Sequence, residues 1–173
     1  EGHGIVNLSE AIKVSCNVYF YKAVEQIALD DLAKTARELN FGNVVGIDIS
    51  TEAKGIIPDT RYMKNKYEGK DSTGQYFKNW GLAGAKANVG IGQGEVLSTP
   101  IQIANLINII SNRGFSVSPH TVIDSMLETK KIINLDKRIW KYLNDSMLQV
   151  VSSKNGTGKA AYIPGVEIRG KTG

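Results

Sequence analysis

The chain has 173 residues, 42% of them apolar and 22% charged, with a net charge of +4 and a pI near 9.1. That length and composition fit one ordinary globular domain, able to bury roughly 70% of its unfolded surface. They exclude a membrane-spanning helix, since no apolar run approaches the ~20 residues it needs, and an internal disulfide framework, since Cys16 stands alone. The mild basicity does not mark a nucleic-acid partner. The lysines are scattered, and the densest basic stretch, Arg61 to Lys70, makes no stripe. A wall polymer or an anionic surface suits the charge equally well.

Leu8, Ala11 and Ile12, then Val18 to Phe20, put apolar residues at helical spacing on both sides of Ser15-Cys16-Asn17. This predicts helix, short break, helix, with the polar triplet at the break. Asp30-Asp31 opens a helix carrying Leu32, Ala36 and Leu39, closed by Asn40 and Gly42. Val44 to Ile49 alternates as a short strand. From Ser50 to about Lys86 the chain is polar and glycine-rich, interrupted by Tyr76, Phe77 and Trp80, and is expected to be a long loop with one helical turn.

Thr99-Pro100 is a strong helix start, with Ile101, Ala104, Leu106, Ile107 and Ile110 as an apolar face and Gly114 as the stop. Phe115 to Leu127 is expected to form two short strands bent at Pro119. Asp136 to Val151 is an amphipathic helix with Ile139, Leu143, Met147 and Val150 on one side. Asn155-Gly156-Thr157-Gly158 is a turn, and Val166-Glu167-Ile168 alternates as a strand running into Lys171. A lone terminal strand needs sheet partners. That need, the absence of an initiator methionine and an end inside a motif together predict a piece of a longer protein.

Two glycine-rich segments carry no phosphate chemistry. Around Gly158-Lys159, Ser153 and Ala160 replace the first glycine and the magnesium-binding hydroxyl of a phosphate loop. Gly90 to Gly94 lacks the dinucleotide spacing and its distal acid.

Taken singly, Ser15-x-Asn17 is a helix-breaking turn and Lys171-Thr172-Gly173 a strand end. Together and in this order they resemble the second and third active-site motifs of the penicillin-recognising serine acyltransferases. Longer strings extend the likeness over nearly the whole chain. Gly2-His3-Gly4-x-Val6-Asn7-Leu8 with Ser15-Cys16-Asn17-x-Tyr19-Phe20-Tyr21 resembles the class B, elongation-type penicillin-binding proteins (the penicillin-binding protein 2 group). So do Ile91-Gly92-Gln93-Gly94 before Thr99-Pro100-Ile101-Gln102, Gly46-Ile47-Asp48, and Gly156-Thr157 ahead of Gly170-Lys171-Thr172-Gly173.

The resemblance implies an α+β fold, an antiparallel sheet flanked by helices, of which residues 1–173 would be a partial, mostly helical transpeptidase domain. Ser15 would be a hydroxyl in a proton relay, and Asn17 would hold the nucleophile's lysine and a substrate amide. Lys171 would supply positive charge. Thr172 would bind a substrate carboxylate, and Gly173 would let substrate backbone approach. No serine from Ser9 to Ser153 has lysine three residues later, so the Ser-x-x-Lys nucleophile would lie upstream and further strands downstream, leaving residues 1–173 inactive alone.

The same likeness implies a parent enzyme anchored in the inner membrane, with this domain in the periplasm. It would cross-link peptidoglycan stem peptides, be acylated by β-lactams, and work beside a membrane glycosyltransferase of the elongation system. No cofactor is required. Some elongation-type relatives bind a structural zinc through a histidine at the position of His3, a cysteine at that of Cys16, and two upstream aspartates. The alternatives are a serine β-lactamase and a non-catalytic β-lactam sensor. A lactamase needs a base to activate water, and Glu52, Glu68 and Glu95 are the only glutamates between Asp48 and Arg113.

Overall fold

A computed structural model of the chain describes residues 2–67, 82–123 and 128–173. Tyr76, Phe77, Trp80, Glu68 and Leu127 lie outside them. The chain divides into two compact units, Glu1–Lys22 with Leu135–Gly173, and Ala23–Asn134. The described residues form seven α-helices and one antiparallel strand pair. No described helix is long and apolar enough to cross a membrane.

In the first unit, α1 (Leu8–Lys13) begins at a capping box. The Asn7 side chain accepts from the Glu10 N–H at 2.9 Å, and the Glu10 carboxylate accepts from the Asn7 N–H at 3.1 Å. α2 (Asn17–Glu25) follows the break predicted from sequence, and its last three residues belong to the second unit. α7 (Lys137–Ser152), capped by Asp136, packs on α1. Ala11 and Ser146 are both fully buried, and their small side chains allow close approach. The Ser9 N–H donates to the Tyr142 hydroxyl at 3.0 Å, and the Ser146 hydroxyl to that of Ser9 at 2.8 Å. The inner face of α7 carries Trp140, Met147, Val150 and Val151, whereas Ile139, expected there, is exposed.

The second unit holds α3 (Leu29–Glu38), α4 (Thr60–Tyr67), α5 (Leu82–Gly90), α6 (Pro100–Ser111), β1 (Phe115–Val117) and β2 (Thr129–Lys131). Its core gathers Leu29 of α3, Met63 of α4 and Val89 of α5. The two middle helices correct the expected long loop. α4 starts where the Asp59 carboxylate accepts from the Tyr62 N–H at 2.7 Å, an N-terminal cap. The end of α5 lies so close to Val24 that a Cβ on Gly90 would be 2.5 Å from its Cγ1.

The expected strand at Val44 to Ile49 is absent, because its backbone groups are taken by side chains. Glu52 accepts from the Val45 and Gly46 N–H groups at 2.6 and 2.9 Å, and Gly46 turns at φ 91. Asp48 instead clamps a distant turn, accepting from the Thr121 and Val122 N–H groups at 2.6 and 3.1 Å. The second strand expected between Pro119 and Leu127 lies partly outside the described residues, and Ser118 to Ile123 form no strand. The pairing strand is β2, with Phe115 opposite Lys131 and Val117 opposite Thr129.

α6 starts at the expected Thr99-Pro100, where Thr99 and Gln102 form a capping box, yet its buried positions are Gln102, Asn105 and Ile109, not the apolar stripe. The fully buried Gln102 amide donates to the carbonyls of Asn40, Asn43 and Lys54 at 2.7–3.1 Å. The two N–H protons of that amide are shared among the three loop carbonyls, while Ile103 and Ile107 stay exposed.

Candidate active site

Ser15 sits at the stop of α1, and the stop sets its backbone. It has φ 53. Its N–H bonds the Ile12 carbonyl at 3.3 Å, and the Cys16 N–H reaches back to the Ala11 carbonyl at 2.9 Å. This double closure around a left-handed residue is the Schellman motif. Asn40 (φ 69) after α3 and Arg113 (φ 52) after α6 close their helices the same way. The backbone form at Ser15 is therefore a common helix stop in this chain. Glycine is its usual occupant, and serine there costs on the order of 1 kcal/mol.

The Ser15 side chain faces Lys171. Lys171 Nζ donates to Ser15 Oγ at 2.8 Å and to the Thr172 carbonyl at 2.5 Å. Partial burial disfavours its charged form and holds its pKa below the ordinary lysine value. The expected strand leading into Lys171 does not form. Ile163 and Val166 make one isolated bridge, and beyond it Gly170 donates its N–H to the Met147 carbonyl of α7 at 3.2 Å. With no ladder partner among the described residues, the segment forms no strand. Thr172 is held from its side, its hydroxyl 2.8 Å from that of Thr157. A Cβ on Gly173 would meet nothing within 4 Å, so packing within this chain does not require the glycine.

Asn17 is exposed as the first residue of α2 and lines an open cleft of about 650 Å³ with residues 2–6, Ser15, Cys16, Val18, Tyr19 and Lys22. His3 and Cys16 share this cleft, and the Cys16 side chain is buried in its wall. No group of three or more His, Cys, Asp or Glu that could hold a metal forms among the described residues. Thus the two sequence-predicted zinc donors lie in one cleft without further ligands from those residues.

The residue that sequence reasoning left without a role is Thr157. Its N–H bonds the Lys13 carbonyl at 3.2 Å, while its hydroxyl meets Thr172. The signal was the Gly156-Thr157 pair ahead of Lys171-Thr172-Gly173. A hydroxyl, an ammonium and a second hydroxyl side by side can pass a proton and bind an anion. Of the three glutamates weighed as a lactamase base, Glu52 is bound to backbone N–H groups and Glu95 to Lys66 and Tyr62. Glu68 lies outside the described residues.

The family model of the penicillin binding protein transpeptidase domain matches residues 1–173. The chain is 31% identical to the peptidoglycan D,D-transpeptidase MrdA of Acinetobacter baumannii, covering 99% of this chain and 25% of that protein. It is similar to a penicillin-binding protein (PBP2) from Helicobacter pylori solved in complex with MreC. The TM-score is 0.77 at 32% identity, over 90% of this chain and 27% of that one. A structure described as a peptidoglycan synthase complex coordinating polymerization and crosslinking matches at TM-score 0.70 and 29% identity, over 90% of this chain and 25% of that one. The chain spans about a quarter of the length of the curated relatives it matches.

Proposed function

The chain belongs to the penicillin-binding protein transpeptidase domain family, and from that premise we propose that the full-length protein is an elongation-type peptidoglycan D,D-transpeptidase. The observation that carries this reading is the 2.8 Å contact from Lys171 Nζ to Ser15 Oγ, which brings together two motifs 156 residues apart.

The donor is a stem peptide ending in D-Ala-D-Ala. A serine outside residues 1–173 attacks the penultimate carbonyl, forming an ester as the terminal amide breaks. The terminal D-alanine leaves with the proton it gains on nitrogen, and an amine of a neighbouring stem then takes the acyl group. Ser15 relays the proton between the nucleophile's lysine and the leaving nitrogen, because its hydroxyl both accepts and donates. Asn17 holds that lysine and the substrate amide with its carboxamide. Lys171 and Thr172 bind the donor's terminal carboxylate, by charge and by hydrogen bond respectively. Gly173 leaves the substrate backbone room to approach. β-Lactams mimic the donor and trap the serine as an ester.

The domain faces the periplasm in a protein anchored in the inner membrane, and its partner is the membrane glycosyltransferase that makes the glycan strand. A relative in a complex coordinating polymerization with crosslinking supports the glycosyltransferase partner. His3 and Cys16 would offer zinc a nitrogen and a thiolate. Further ligands would come from outside the described residues, and the metal would tie the His3 segment to the Ser15–Asn17 break, a structural role. About one zinc per chain is expected in the full-length protein by elemental analysis, and less in Cys16→Ser. A metal-free protein of full activity overturns that assignment.

The test of the whole reading is labelling of the full-length protein with a fluorescent penicillin across a pH series. Label is expected on one serine upstream of residue 1. Because the Lys171 pKa is lowered, its charge is present below that pKa and lost as pH rises through it. The alkaline loss of labelling should therefore begin at lower pH than an ordinary lysine gives. Lys171→Arg should move it upward, since guanidinium keeps its proton. A folded full-length protein that takes no label overturns the function.

A further inference from the structure

We propose that Thr157 is a positioning residue for Thr172, setting the direction in which the Thr172 hydroxyl donates its proton. The inference rests on the reading of Thr172 as a carboxylate ligand. Two hydroxyls 2.8 Å apart share one hydrogen bond, and either can be its donor. Each carries one proton. If Thr172 donates to Thr157, its proton is spent and it offers an incoming carboxylate only lone pairs. If Thr157 donates to Thr172, the Thr172 proton is free for the substrate.

The surroundings decide which arrangement substrate selects. The other acceptor for the Thr157 proton is the Lys13 carbonyl, at a long 3.4 Å. That carbonyl already receives the Thr157 N–H at 3.2 Å. Turning the Thr157 hydroxyl toward Thr172 thus gives up little. It also polarises the Thr172 O–H, which strengthens the bond to the carboxylate. The position is fixed by backbone on one side: the Thr157 N–H anchors to the last residue of α1, two residues before Ser15. Preceding it, Gly156 lies against the α7 carbonyls, where a Cβ would be 2.3 Å from Val150 O. Thr157 therefore holds one bond to the helix bearing the Ser15 stop and one to the segment bearing Lys171.

The test compares acylation rate constants of the full-length protein with benzylpenicillin and with its methyl ester, whose carboxylate is masked. Thr157→Val keeps the shape and the N–H and removes the hydroxyl. It should lower the free-acid to ester rate ratio by about fivefold, the worth of one ordinary hydrogen bond. Thr157→Ser should restore the ratio, and Thr157→Val added to Thr172→Val should lower it no further. A ratio unchanged in Thr157→Val, with both rates falling together, overturns the proposal and leaves Thr157 only structural. Thr172→Val separates the two levels of failure. If it too leaves the ratio unchanged, the carboxylate reading of Thr172 is what fails. If it lowers the ratio while Thr157→Val does not, only the positioning role fails.

Discussion

Replacing Ser15 with alanine in the full-length protein is expected to slow acylation by a penicillin on the order of 10²–10⁴-fold, the range lost with a positioned acid–base group. Thermal stability should stay close to wild type. The two readouts separate because the Ser15 backbone and side chain do different work. The backbone closes α1 through the Ile12 and Ala11 carbonyls, and alanine can still do that in the same left-handed form. The hydroxyl is the acceptor for Lys171 Nζ, and alanine removes it. Ser15→Gly sharpens the contrast. Glycine adopts φ 53 without a Cβ penalty, so this variant should be up to ~1 kcal/mol more stable and equally slow. Stopped-flow acylation beside thermal melts reads both. Wild-type rates in Ser15→Gly would remove Ser15 from the proton relay. Loss of rate only in step with loss of stability would reduce it to a helix stop.

The helix starts at Thr99-Pro100 and Asp136 were legible in the sequence because caps are local. Each bonds an N–H within three residues, as does Asn7. α4 has the same kind of cap, but Asp59 is followed by polar Arg61, Lys64 and Lys66, so no apolar stripe announced it. Pairing is not local. β2 is Thr129-Lys130-Lys131, exposed throughout, and only its register with β1 makes it a strand. On α6 the residues buried most deeply within residues 1–173 are not those of the apolar pattern. Burial there follows the loop carbonyls that Gln102 must satisfy and the Asn105–Ser116 bond, which composition does not encode. The two motifs at the site were legible as strings, and the structure supplies the contact between Ser15 and Lys171. Thr157 was legible only as part of a string, without a role, because the contact of its hydroxyl with Thr172 is made across a turn.

The turn that carries Thr157 should be the most sensitive backbone in the first unit, and Gly156→Ala should expose that. An alanine Cβ there would sit 2.3 Å from Val150 O and 2.6 Å from Gln149 O, far inside contact distance. Those carbonyls belong to the last turn of α7 and are already engaged, Gln149 O by the Ser153 N–H at 3.1 Å and Val150 O by the Gly158 N–H at 2.9 Å. The clash is with backbone and cannot be relieved by rotating a side chain. The turn must lift and stretch the Gly158 bond. Overpacking of this kind costs about 1–3 kcal/mol or more, to be read by denaturant unfolding of the full-length protein. The same displacement carries Thr157 away from Lys13 and Thr172, so acylation of the free-acid penicillin should fall beyond what lost stability explains. Gly170→Ala is the control. Its Cβ would lie 3.7 Å from Val151 Cγ2, ordinary contact, and a change within ~0.5 kcal/mol is expected. Equal, small effects from both substitutions would mean that the turn yields easily, and that Thr157 is not held by the backbone on which its positioning depends.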